Sequence, residues 1–121
     1  MNWFVAIILV GLSLGASADV LHYSLCTLRD GKTLADASAW QAECRTVIAK
    51  HKIEYRSRVL VAHADGQAKA NQFFLEGASP TLVTHAKAWD WWYTHSDASA
   101  LNTKLSEIAT CESGTIYRAV D

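Results

Sequence analysis

The hydrophobic period changes along the chain in one order, and that order restricts the fold more than any single motif. From Val20 to Leu28, VLHYSLCTL is rich in β-formers and reads as a strand buried on both faces. Asp30-Gly31 then breaks it with a turn signal. Thr33 with Asp36 three residues later resembles a capping box. Beyond it Ala37, Trp40, Cys44, Val47 and Ile48 recur on one helical face. IEYRSRVLVAHA, from Ile53 to Ala64, alternates: Ile53, Tyr55, Val59, Val61 and His63 share one side, and Glu54, Arg56, Arg58 and Leu60 the other. Asp65-Gly66 is a hairpin signal, and NQFFLEG is the returning arm. Ser79 as N-cap with Pro80 at the first helical position predicts a helix running to about Thr94. A short third helix follows Asp97, with Leu101, Leu105 and Ile108 in phase, and GTIYRAV closes the chain as a strand.

The first residues read differently. MNWFVAIILVGLSLGASADV holds an apolar run from Trp3 to Leu14, then small residues, with no charged side chain before Asp19. The run is shorter than the roughly 20 residues that span a bilayer. The pattern predicts a signal peptide over 1–18 with cleavage after Ala18, a single domain over 19–121, and a periplasmic or secreted location. Lys and Arg total 11 and Asp and Glu 12, all after residue 18. That balance argues against nucleic acid or an anionic membrane as the main partner, because both select a basic surface.

The element order β-α-β-β-α-(α)-β is that of an α+β, ferredoxin-like domain: a four-stranded antiparallel sheet in strand order 4-1-3-2 with helices on one face. The opposite sheet face also carries apolar residues and needs a cover. In this respect the chain resembles the dimeric α/β-barrel superfamily, whose antibiotic-biosynthesis-monooxygenase-like members are small ferredoxin-like domains of this length. The resemblance rests on element order and implies a homodimer through the sheet face, a cavity between sheet and helices, and no cofactor. LCTLRDGKT, WWYTHSDASALNTKL and ATCESG also resemble small exported bacterial proteins without an assigned activity.

Strand order 4-1-3-2 makes the first and last strands neighbours. Cys26 and Cys111 then lie side by side, so a Cys26–Cys111 disulfide is expected of a chain that meets an oxidising compartment. Pairings with Cys44, or no disulfide, remain the alternatives. Cys44 falls in the apolar stripe of the first helix and reads as a small buried hydrophobe.

AKAWDWWYTH concentrates aromatic rings in the second helix. With Leu82 set at zero and about 100° per residue, Ala86, Trp89 and Tyr93 share its face, Trp92 and His85 fall on one flank, and Trp91 points opposite. The third helix could fold over Trp91. Alternatively Trp91, with Trp92 and His85, could form a partner surface or a stacking platform for a ligand.

No metal signature joins the five histidines by spacing, and no nucleophile elbow or phosphate loop occurs. His51 and His95 fall at helix ends, where a cation suits the dipole. Arg56 and Arg58 read as charges protecting a sheet edge. The residues expected to line a cavity are His22, Tyr23, Tyr55, His63, Phe74 and Tyr117. The first functional expectation is an exported domain that binds a small apolar or aromatic ligand, or a protein partner, without catalysis. The alternatives are a cofactor-free monooxygenase-like enzyme of the dimeric α/β-barrel type, and an envelope interaction module using Trp91.

Overall fold

The computed structural model describes residues 20–62 and 69–120. The expected signal peptide, its cleavage point and His63 lie outside the described residues. The elements are β1 (Val20–Leu28), α1 (Leu34–Lys50), β2 (Arg56–Leu60), β3 (Gln72–Ser79), α2 (Leu82–Thr94), α3 (Ser96–Ile108), β4 (Ala109–Cys111) and β5 (Thr115–Arg118). The sheet order is β2-β3-β1-β4, all pairs antiparallel, and β5 also pairs with β1. This is the expected ferredoxin-like order. The last strand is split in two: β4 pairs with the end of β1 and β5 with its beginning, separated by Glu112, Ser113 and Gly114.

Strand residues alternate between faces, and facing partners share one. His22, Ser24 and Cys26 therefore lie on one face with Gly77, Leu75 and Phe73, and on it Cys26, Phe73 and His22 are buried. The helices cover this face: β1, β3 and β4 meet α1 in a cluster of Cys26, Ala37, Phe73 and Ala109. A second cluster joins Trp40, Cys44 and Ile48 of α1 to Leu101 and Leu105 of α3. Trp40 fastens the two helices further, its buried indole N–H donating to the Leu101 carbonyl at 2.8 Å. Gln41 and Ser57 bind α1 to the edge strand through a reciprocal buried pair, each at 3.0 Å. The sequence stripe includes Trp40 but misses Gln41, because a glutamine on an apolar flank looks solvent-bound until its partner is known.

The helix boundaries follow local chemistry. Thr33 N–H donates to the Asp36 carboxylate at 2.7 Å, the capping box expected there. The α1 C-terminus turns through Lys52, whose φ of 53° is left-handed. Lys52 N–H donates to Ala49 O and Ile53 N–H to Ile48 O, both at 3.1 Å, the pattern of a Schellman motif. For α2 the N-cap is Thr81 and not the expected Ser79; the Thr81 hydroxyl accepts from Thr84 N–H at 3.1 Å. Ser79 is instead the last residue of β3, fully buried.

The second sheet face bears Leu21, Tyr23 and Leu25 of β1, Phe74, Glu76 and Ala78 of β3, and Arg58 and Leu60 of β2. The core clusters of the described residues lie on the opposite side. At its centre Tyr23 donates to Glu76 at 2.7 Å, and Arg58 Nε donates to the other carboxylate oxygen at 2.8 Å. Burial pushes the Glu76 carboxyl up, but the hydrogen bonds from Tyr23 and Arg58 outweigh it and hold it below its usual value.

Candidate functional site

A cavity of about 480 Å³ lies between the helix-facing side of the sheet and the three helices. His22 and Ser24 of β1, Gly77 of β3 and Ser57 of β2 form its floor, with Tyr55 just before β2. Its walls are Trp40, Cys44 and Ile48 of α1, Trp89, Trp91 and Trp92 of α2, and Leu105 of α3. Glu76, Asn102, Glu112, Ser113, Gly114 and Tyr93 also contribute to the lining; Tyr93 is 71% exposed, which places it at a rim. The lining is mostly apolar with several polar side chains among it, as in many small-molecule sites.

Two glycines shape this floor. A Cβ on Gly77 would lie 1.6 Å from the Tyr55 hydroxyl, so the phenol rests directly on the β3 backbone. A Cβ on Gly114 would lie 2.0 Å from His22 Nε2 and 2.6 Å from the Tyr23 carbonyl. Sequence reading missed both, although a glycine interrupting the FFLEG strand is the signal for such a close approach.

His22 anchors a row of rings. Its imidazole lies edge-on to Trp89 at 4.9 Å and 6.2 Å from His85. His85, behind it, has Nδ1 within 3.1 Å of the buried Ser79 hydroxyl. Burial lowers the pKa of His22, helped by His85, and burial lowers that of His85, so both rings are neutral at pH 7. Burial pushes the Tyr55 phenol up to about 12 and the Cys44 thiol up to about 11. Cys44 is therefore a protonated wall group and not a nucleophile.

Three buried side-chain nitrogens have no hydrogen-bond partner among the described residues: His22 Nε2, His85 Nε2 and Trp91 Nε1. His22 and Trp91 both line the cavity. Leaving such a group unsatisfied costs about 1–3 kcal/mol, which a ligand bonded to either nitrogen would recover once a small side-chain shift exposes it.

The sequence-stated candidates divide by strand parity. His22 and Tyr55 reach the cavity. Tyr23, Phe74 and Tyr117 stand on the opposite sheet face, where Tyr23 and Tyr117 meet at 5.7 Å. The α2 orientation also differs from the expectation. Its buried residues are His85 and Ala88, while Leu82 and Tyr93 are exposed. The helix is turned by about 80° from the wheel set on Leu82. Consequently Trp91 and Trp92 pack against the Trp40–Leu105 cluster and face the cavity, and are not an outer patch. The Cys26–Cys111 disulfide is formed, directly across the β1–β4 register, and Cys44 is free and buried.

No protein-family model and no curated protein sequence matches the chain. Solved structures do match its shape. SnoaB, a cofactor-independent oxygenase from Streptomyces nogalater, superposes with a TM-score of 0.56 at 14% identity, covering 87% of this chain and 96% of that one. A dimeric protein of unknown function and ferredoxin-like fold from Bacteroides fragilis gives 0.58 at 18% identity, covering 83% and 95%. The shared fold is ferredoxin-like. At these identities the likeness carries the architecture and leaves the chemistry to the residues.

Proposed function

We propose that the chain binds a small, flat, largely apolar ligand in the cavity between sheet and helices, with a hydroxyl or carbonyl group engaged by His22. The supporting observation is the buried, unpartnered Nε2 of His22, a residue that lines a mostly apolar cavity of about 480 Å³. A neutral imidazole can donate to or accept from such a group, and the Trp91 indole offers a second donor. Trp89 and Trp92 supply faces for ring stacking. The test is a fluorescence titration comparing naphthalene with a naphthol. The naphthol binds more tightly, and replacing His22→Phe removes the difference. Equal binding of both probes by the unaltered protein would overturn the reading.

A second reading is cofactor-free oxygenation. It is favoured by the neutral His22, which can take a proton from an acidic ligand hydroxyl, and by the fold shared with SnoaB. The resulting electron-rich anion would react with oxygen itself. Oxygen uptake that requires both an oxidisable phenolic ligand and His22 separates this from passive binding.

The second sheet face, with Leu21, Leu25 and Phe74, suits a second copy of the chain, in line with the Bacteroides fragilis protein being dimeric. We further propose export with cleavage after Ala18, which the Cys26–Cys111 disulfide favours. Sedimentation and the N-terminal mass of protein recovered from a bacterial periplasm test these two points.

A further inference from the structure

His51, His95 and Asp97 bring one donor atom each to a cluster in which all three lie within 4.8 Å of one another. The three come from three helix ends: His51 is the C-cap of α1, His95 joins α2 to α3, and Asp97 is in the first turn of α3. His51 Nε2 lies 2.8 Å from Asp97 Oδ2, and the two imidazoles are 4.3 Å apart between centroids. Trp91 stacks on His95 and leans on His51, which separates the cluster from the cavity. All three donors are half-buried.

We propose that this cluster is a site for a divalent transition-metal ion of the zinc type. Two imidazoles and one carboxylate are a borderline donor set that leaves a fourth position open. Donor atoms around a tetrahedral zinc stand about 3.3 Å apart, so the present spacing closes on an ion by small side-chain rotations. The field is favourable as well: the C-termini of both α1 and α2 converge here, against one N-terminus. Backbone hydrogen bonds fix the donors. His51 N–H donates to Val47 O at 3.1 Å and His95 N–H to Trp91 O at 2.9 Å. Two local interactions compete with the ion. Lys50 Nζ lies 3.5 Å from Asp97 Oδ2, on a side chain exposed enough to swing away. His95 Nδ1 accepts from Asp97 N–H at 3.1 Å, and an ion on either nitrogen of His95 takes that cap.

The test is calorimetric titration of the untagged full chain with zinc ion, paired with thermal melting. His51→Gln keeps a hydrogen bond to Asp97, and His95→Asn keeps a capping acceptor for Asp97 N–H, so both variants fold without metal. The expected result is one zinc per chain, a rise in melting temperature, and at least tenfold weaker binding in each variant. Lys50→Ala binds zinc at least as tightly as the unaltered chain. Absence of saturable binding, or an affinity unchanged in either histidine variant, would overturn the site.

Discussion

Ser79 Oγ and His85 Nδ1 lie 3.1 Å apart, joining the last residue of β3 to the first turn of α2. Both residues are buried, and the bond goes with an α2 orientation in which His85, and not Leu82, faces the sheet. The rotation carries Trp91 and Trp92 inward, sets His85 behind His22, and so builds the aromatic wall of the cavity.

Buried neutral imidazoles make stability depend on pH with a definite sign. The folded pKa values of His22 and His85 lie below the ordinary 6.5. Above that value neither the folded nor the unfolded chain holds these protons, and the contribution is complete. As pH falls through the depressed folded values, the unfolded chain takes up protons that the folded one resists, and stability drops. Urea midpoints between about pH 7.5 and pH 5 should fall for the unaltered chain. The fall should be shallower in the His22→Gln, His85→Gln double variant.

Gly77→Ala should displace the Tyr55 phenol, since the added carbon would lie 1.6 Å from its oxygen. The expected cost is about 1–3 kcal/mol, the usual range for overpacking. In a Tyr55→Ala background the same change should cost less, which a double-mutant cycle on urea midpoints measures directly.

The Cys26–Cys111 bond closes a separation of 85 residues. Its reduction should lower stability by about 4–5 kcal/mol in the chain-entropy view. Denaturation with and without reductant checks this. Cys44, buried and with its thiol pushed up to about 11, should resist alkylation in the folded chain and react on unfolding.

Lys52 occupies a left-handed position where a side chain costs roughly 1 kcal/mol or more. Lys52→Gly should raise stability by about 0.5–1 kcal/mol, reduced from the full strain by the greater freedom of glycine in the unfolded chain. A shift in the urea midpoint without a change in slope is the expected signature.

Element order, strand neighbours and the disulfide were legible in the sequence because they rest on period and connectivity. The strand period of two puts His22 and Cys26 on one face and Tyr23 on the other. Tyr23, Phe74 and Tyr117 were grouped with His22 as cavity candidates despite that parity, and the sheet places them on the far side. The α2 phase was not legible, because Leu82, Ala86 and Tyr93 form as apolar a stripe as His85, Ala88 and Trp92. The Ser79–His85 contact and the packing of Trp91 and Trp92 on α1 and α3 favour the second, and both depend on the tertiary structure. Gly77 and Gly114 escaped notice for a related reason: their role is defined by Tyr55 and His22, which come from other strands.

The central claim is that the cavity holds a flat ligand through His22, and native mass spectrometry of gently purified protein tests it most directly. The account predicts an additional small mass on the unaltered chain that is reduced or absent in His22→Phe, and that competes with an added naphthol. A chain that carries no additional mass and takes up no naphthol would contradict it.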